Sequence, residues 1–409
     1  MDSGFRPSGG PGMTNGVRVM HVLICGGGVI GASIAYFLGI RGIKATVIER
    51  TGIACAASGK AGGFLARDWC DGTPVQHLAR RSFALHAELA EQLGEDWGYR
   101  RLTTYRGGAS FGTPRRGGAY DRGWLSAGVA VTQALGSTET TAQVHPAAFT
   151  AAMMRAAQAH GAELRLGRVT GLVRDRARVV GVKIDGETIA GDAVVIAMGP
   201  WSVLAAAWLP LPAVFGLKGH SLVFDAGASV PAEAAFIEYR DASGDVQTPE
   251  LFPRPDGTIY VCAISSESPL PLDPADVAPD PGAIERLHAI CRDLSPALAS
   301  AKIVARQACF RPIARDGAPL IGRVPGVDNA YVATGHSVWG ILNAPATGEA
   351  MAELIADGAA RNIDLSPFDP ARLPPLDPAR MRRAVTPATA RAVVQQAVAD
   401  PVIAIASAP

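Results

Sequence analysis

Between Arg18 and Arg41 the chain carries no Asp, Glu, Lys or Arg, and in the middle of that run stands Gly26-Gly27-Gly28. A run of this length has the reach of a membrane span. Three consecutive glycines, however, make a poor helix centre. The half before them (VMHVLIC) is rich in strand formers, and the half after them (VIGASIAYFLG) is helix-like. The reading is strand over 19–25, turn, then helix to about Gly39. A second apolar run, Ala45 to Ile48, follows and ends at Glu49, which completes a βαβ unit.

Within that unit the glycines have the spacing Gly26-x-Gly28-x-x-Gly31. Gly26 permits the tight turn, Gly28 lets backbone approach a pyrophosphate, and Gly31 lets helix and strand pack closely. The helix N-terminus then offers unpaired N–H groups to the phosphates. Glu49, about 20 residues on, is placed to accept ribose hydroxyls and disfavours a 2′-phosphate, which argues against NADP. The spacing leaves NAD and FAD both open. Three further segments favour FAD: ACAASGKAGGF (54–64) just past Glu49, the apolar strand VVIAMGPWS that ends at Gly199, and ATGHSVWGILNAPATG. The last ends a strand and starts a helix whose N-terminus suits the electron-rich edge of a reduced flavin.

The rest of the chain reads as an α/β protein with a second, sheet-rich part. A helix is expected over Gln76 to Leu93, then a Gly-rich, basic, irregular insertion to about Thr132. Residues 213–303 alternate like antiparallel strands, with a helix from Ala283 to Leu294, and the C-terminal strand–turn–helix completes the first part from the far end of the chain. With 409 residues and a formal net charge of +1, with no Lys/Arg run, nucleic acid and membrane surface are not expected partners. Six scattered cysteines with no CxxC pair point to neither zinc nor a disulfide framework, and fit a reducing cytoplasm.

In combination these motifs resemble the D-amino-acid oxidase family of FAD-dependent oxidoreductases, the group containing glycine oxidase and sarcosine oxidase, from about Val17 to Leu373. GLKGHS, FPRPDGTIYVCA and GHSVWGILNAPATG look closest to a poorly characterised branch of it. The resemblance implies a split Rossmann-like FAD domain (17–100, 143–212 and 306–373) roofed by an antiparallel substrate or cap domain (101–142 and 213–305). A flexible leader (1–16) and a tail (374–409) with one weak helix flank them. Besides Gly26, Gly28, Gly31 and Gly199, it implies FAD contacts at Val29, Ile30, Glu49 and Arg50, at Ala57 and Ser58, and at Gly62, Gly63 and Phe64. Others follow at Val169 and along His336, Ser337, Val338, Trp339, Gly340, Ile341 and Leu342.

The resemblance also implies hydride transfer from a substrate C–H beside an amine nitrogen to the flavin, giving an imine that hydrolyses, with O2 as acceptor. Substrate residues then act mainly as anchors. Arg311, in the shared pattern RPxxxDGxPxIG, matches the arginine that grips the substrate carboxylate in glycine oxidase; a structural pairing with Asp316 is the alternative. Val338 stands where glycine oxidase has a second arginine, and Glu250 where it has a substrate-contacting tyrosine. The lysine that promotes oxygen use in sarcosine oxidase falls near Val261. Lys218 and His220, two apart on one strand, either polarise substrate or oxygen, or form a structural pair. Cys309 aligns with the cysteine that tethers FAD covalently in sarcosine oxidase, beside the alternative of an inert core thiol. The expectation is an FAD-dependent oxidase of amines or amino acids. A dehydrogenase with another acceptor, an NAD-linked enzyme and a flavin-bearing binding or trafficking protein are the alternatives, and no metal is expected.

Overall fold

A computed structural model describes residues 19–112, 118–227 and 231–379. The leader 1–16 and the tail from 380 onward, with its expected helix, lie outside them. The glycine run is strand, turn and helix: His21–Cys25, then Val29–Gly39. The strand forms because HVLIC is apolar on both faces, which suits a parallel sheet covered on both sides. It sits inside a six-stranded sheet in the order Leu320–Arg323, Ala330–Thr334, Ala193–Ile196, His21–Cys25, Lys44–Glu49, Glu163–Leu166. Only the first pair in that order is antiparallel. The Ala193–Ile196 strand thus sits between the first strand of the chain and the late strand Ala330–Thr334.

The turn is fixed by close backbone contacts. Gly26 has φ of +117°, and a Cβ there would lie 2.3 Å from Ala197 O. A Cβ on Gly31 would lie 2.0 Å from Gly26 O. Both glycines are thus required by packing between the first strand, its helix and the 193–196 strand.

The second large sheet has eight strands, antiparallel except where Glu233–Arg240 runs parallel to Thr103–Ser110. Two sequence expectations change here. The expected irregular insertion contains the strands Thr103–Ser110 and Ala130–Gly136, paired with each other. Gly107 and Gly108 hide the alternation; a Cβ on Gly107 would meet Ala130 O at 2.8 Å. The boundary drawn at 305/306 cuts one continuous strand, Lys302–Ala314, because it pairs with Val214–Asp225 along its whole length. The helix Ala283–Leu294 packs its apolar face on this sheet, through Leu287, Ile290, Cys291 and Leu294.

The helix Gly340–Asp357 closes the nucleotide side and lies against the first helix; a Cβ on Gly348 would be 2.7 Å from Ser33 C. It contains Pro345, which has no N–H for the carbonyl of Ile341. The next donor, Ala346 N–H, goes to Ser82 Oγ at 3.0 Å. Both freed carbonyls are taken by one group: His86 Nε2 lies 3.0 Å from Ile341 O and 3.2 Å from Leu342 O. Ser82 and His86 are four apart on the helix Gln76–Leu93, hence on one face of it. That helix repairs the break in its neighbour. No helix among the described residues is long and apolar enough to cross a membrane.

Burial lowers the pKa of His86 to about 4 and that of His336 to about 3. In the unfolded chain both titrate near the ordinary value of about 6.5. Below that pH the unfolded state binds protons that the folded state refuses, so stability declines as pH falls from 6.5 toward 4. Each imidazole should cost about 2 kcal/mol at pH 5 relative to pH 7. Urea unfolding at the two pH values reads the decline, and His336→Asn should remove about half of what the pair contributes.

Candidate active site

A cleft with about 1650 Å³ of atom-free space, including open solvent at its mouth, runs between the two sheets. Its wall reaches from the glycine turn at one end to Cys309 and Arg311 at the other and takes residues from both sheets. At one end its wall is the glycine turn and the start of the first helix, with Gly26, Gly28, Val29 and Ile30. That helix has no side-chain cap at Gly28. Val29 N–H donates to Ser58 Oγ at 2.9 Å, which docks the 54–64 segment onto the helix start. A Cβ on Gly28 would project into the cleft, meeting only Ser58 Oγ at 3.1 Å. The arrangement is a helix N-terminus whose cap residue carries no side chain, with room for an anion to approach its backbone, which fits a pyrophosphate.

Glu49 ends its strand at the floor of this region, nearly buried. Its Oε2 accepts Gly27 N–H at 2.7 Å and its Oε1 accepts Thr51 N–H at 2.9 Å. The carboxylate thereby holds the turn, takes a further contact from Cys55 Sγ–H at 3.8 Å, and lines the cleft, where ribose hydroxyls fit. Arg50 also lines the cleft, but its guanidinium reaches the loop from the other sheet, donating to Leu272 O and to Asp273 Oδ2, both at 2.7 Å. Trp201 Nε1–H donates to Pro271 O at 2.7 Å beside it. The roof loop is fastened to the nucleotide side at this point.

Along the middle, Ala57, Ser58, Gly62, Val169 and Gly199 face the cleft. His336, Ser337, Val338, Gly340 and Ile341 form the wall where the last strand enters the closing helix. Ser337 is held at φ of +51°, strained for a residue with a Cβ. Five expected contacts stand behind the wall instead. Gly31 and Gly63 serve packing, a Cβ on Gly63 being 2.0 Å from Val144 O. The Phe64 ring stacks on Phe252 at 5.4 Å, Trp339 packs edge-on to Trp69 at 6.4 Å, and Leu342 is buried in the core.

At the far end, Cys309 and Arg311 project from one face of the 302–314 strand into the cleft. Arg311 lies partly buried, with Nη1–H donating to Ser265 Oγ at 2.9 Å. The alternative partner Asp316 is engaged elsewhere, with Arg372 at 2.7 and 3.0 Å. No ion pair to Arg311 exists among the described residues. Gly219 leaves the space for it, since a Cβ there would be 2.9 Å from Arg311 Nη2. Glu250 shares this end, and Cys262 Sγ–H donates to its Oε2 at 3.6 Å. Burial pushes the Glu250 pKa up, against the pull of the Arg311 charge and the thiol. Burial likewise pushes the Cys309 thiol up, opposed by Arg311 and Lys60.

His220 touches the cleft, but both ring nitrogens are spoken for: Nδ1 lies 3.0 Å from Ile264 O and Nε2 accepts Asp280 N–H at 3.0 Å. Lys218 does not reach the cleft wall; its Nζ is 2.5 Å from Asp280 Oδ1, and Ser266 and Ser268 donate to the same carboxylate. The pair ties the roof loop to its sheet, so the sequence-based expectation that Lys218 faces substrate gives way to this network. Tyr260 and Cys262 line the substrate end and escaped sequence reading. The alternation in GTIYVCAIS puts them opposite Val261, which is fully buried on the sheet's other face. Strand parity carried that signal once the facing side was known.

Residues 21–354 match the family model described as FAD dependent oxidoreductase. A putative oxidoreductase of Schizosaccharomyces pombe is 30% identical over 384 residues, covering 86% of this chain and 97% of that one. Glycine oxidase of Pseudomonas aeruginosa is 29% identical, covering 86% and 98%. The crystal structure of glycine oxidase from Geobacillus kaustophilus superposes with a TM-score of 0.74 at 26% identity, covering 87% and 99%. A cleft shaped for a dinucleotide and a match that spans both sheets lead to one conclusion: the chain belongs to the FAD-dependent oxidoreductases of the D-amino-acid oxidase family, on the glycine and sarcosine oxidase-like side, and its cofactor is FAD.

Proposed function

We propose that this enzyme oxidises the C–N bond of an amino acid or secondary amine to an imine, which water then hydrolyses, in the cytoplasm and with O2 as acceptor. The carrying observation is Arg311: a guanidinium in the cleft wall, with Gly219 leaving it room and no carboxylate paired to it among the described residues. Residues 17–100, 143–212 and 306–373 act as the FAD side in this reading, and 101–142 with 213–305 as the substrate side. The glycine turn, Glu49, Ser58 and the wall from His336 to Ile341 hold the cofactor, and bound FAD supplies the hydride acceptor.

Arg311 takes the substrate carboxylate with two parallel hydrogen bonds, which fixes the orientation of the Cα–H. An ammonium has no lone pair to assist hydride loss, so its proton must leave first. Glu250, at the same end of the cleft and raised in pKa by burial, receives it. Tyr260 and Cys262 complete the wall, and Val338 leaves open the position of a second cation.

A second reading, a dehydrogenase that passes electrons to another acceptor, is favoured by one observation. Val261 faces the opposite core and Lys218 is bound to Asp280, so neither puts a lysine cation toward the cleft. Oxygen consumption against dye reduction with the same substrate separates the two.

The decisive test is an anaerobic screen of N-methyl, D- and fructosyl-amino acids against the purified yellow protein. Bleaching by one of them supports amine oxidation; colour that no amine bleaches favours a binding or trafficking role. With a substrate in hand, Arg311→Ala should lower kcat/KM about a hundredfold, as loss of a buried charged partner does, and unchanged turnover removes the anchor. Glu250→Gln should lower kcat about 10²-fold at neutral pH and erase the acidic limb of its pH profile, since the wild type needs this carboxylate ionised. Desolvation pushes the Cys309 thiol pKa up, which disfavours the thiolate needed for attachment, so FAD should be released by acid precipitation; colour that stays with the pellet makes Cys309 a tether.

A further inference from the structure

The repair of the closing helix sits one turn from the cleft. Gly340 and Ile341 are wall residues, and the carbonyl of Ile341 is one of the two that Pro345 leaves without a helical partner. That carbonyl belongs to the same peptide group as the N–H of Leu342, in the first turn of the helix, where N–H groups point toward the N-terminal end. A hydrogen bond accepted by one end of a peptide group polarises the other end and strengthens it as a donor. In an unbroken helix residue 345 would supply that bond. Here His86 Nε2–H supplies it, from a helix some 255 residues earlier in the sequence.

We propose that His86 is a positioning residue for the flavin end of the cleft: by holding the carbonyls of Ile341 and Leu342 across the Pro345 break, it fixes and polarises the helix turn that faces the cofactor. The inference rests on the reading that FAD lies along the wall that ends at Gly340 and Ile341. Its geometry is independent of substrate identity. Because burial holds His86 neutral, the imidazole has one N–H, and the two carbonyls require that proton on Nε2. Nδ1 has no hydrogen-bond partner, so the ring contributes a single donor to this site. Ser82 fixes the other half of the break by accepting Ala346 N–H.

The experiment uses the FAD-loaded enzyme and two readouts that need no substrate: the Kd of sulfite for the flavin, read from its visible spectrum, and the two-electron midpoint potential. His86→Leu should raise the sulfite Kd about tenfold and lower the potential by the equivalent of about 30 mV. His86→Gln, which keeps an N–H donor, should recover most of both. Pro345→Ala restores a backbone N–H for Ile341 O, so Pro345→Ala/His86→Leu should return toward the wild type. A folded, FAD-loaded His86→Leu with wild-type sulfite affinity and potential overturns the proposal. If His86→Leu alone does not fold, the double variant decides. Recovery of fold and sulfite affinity supports the hydrogen bond, whereas no recovery makes the ring a packing residue and overturns it. Wild-type protein that takes up no FAD would instead defeat the cofactor reading on which the inference stands.

Discussion

The structure hangs on the close contact at Gly26. A side chain there would fall within 2.3 Å of Ala197 O, so the first strand, its helix and the 193–196 strand come together only because that position is bare. The contact aims the first helix at the cleft and brings Glu49 under the turn, where it accepts Gly27 N–H. Strands from three distant parts of the chain then share one sheet. Packing and cofactor geometry are the same set of glycines here, so neither is adjustable without the other.

At the substrate end the governing quantity is charge in a poorly solvated wall. Arg311 and Glu250 both border the cleft, beyond ion-pair distance of each other. Each is incompletely compensated, which is costly in the free protein. A zwitterionic ligand would relieve both at once, its carboxylate toward the guanidinium and its amine toward the carboxylate. The second polar network, around Asp280, shows the contrasting case. Its carboxylate accepts from Lys218, Ser266 and Ser268, its pKa held down to about 2 despite burial, and nothing remains for a ligand.

Local information was legible in the sequence and distant pairing was not. The βαβ unit, Glu49 and the face shared by Cys309 and Arg311 follow from spacing within a few residues or one motif. The partner of Lys218 lies 62 residues away, and the groups that repair Pro345 lie more than 250 residues upstream. Neither leaves a periodic trace. Tyr260 and Cys262 were hidden for another reason, since alternation says that two residues share a face and not which face meets the cleft. Glycines in the 103–110 strand removed the side chains by which alternation is recognised. Gly63, Phe64 and Trp339 show that a motif holds the wall from behind as well as lining it.

The long strand that carries Arg311 has a consequence for how such an enzyme diversifies. Arg311 is held in register with Leu217, inside a ladder that runs from Val214 to Asp225 on one side and from Lys302 to Ala314 on the other. A slip by one residue would turn every side chain of the strand to the opposite face, so this anchor can be lost by substitution but not moved by degrees. Glu250 begins a four-residue strand, and Val338 lies in a three-residue turn before the closing helix. Exchanges of these side chains change what the substrate meets; Val338 lies outside any strand, and Glu250 stands at the first position of its short one. Descendants of this sequence would drift to new amines through positions 250 and 338 while the grip on the carboxylate stayed in place.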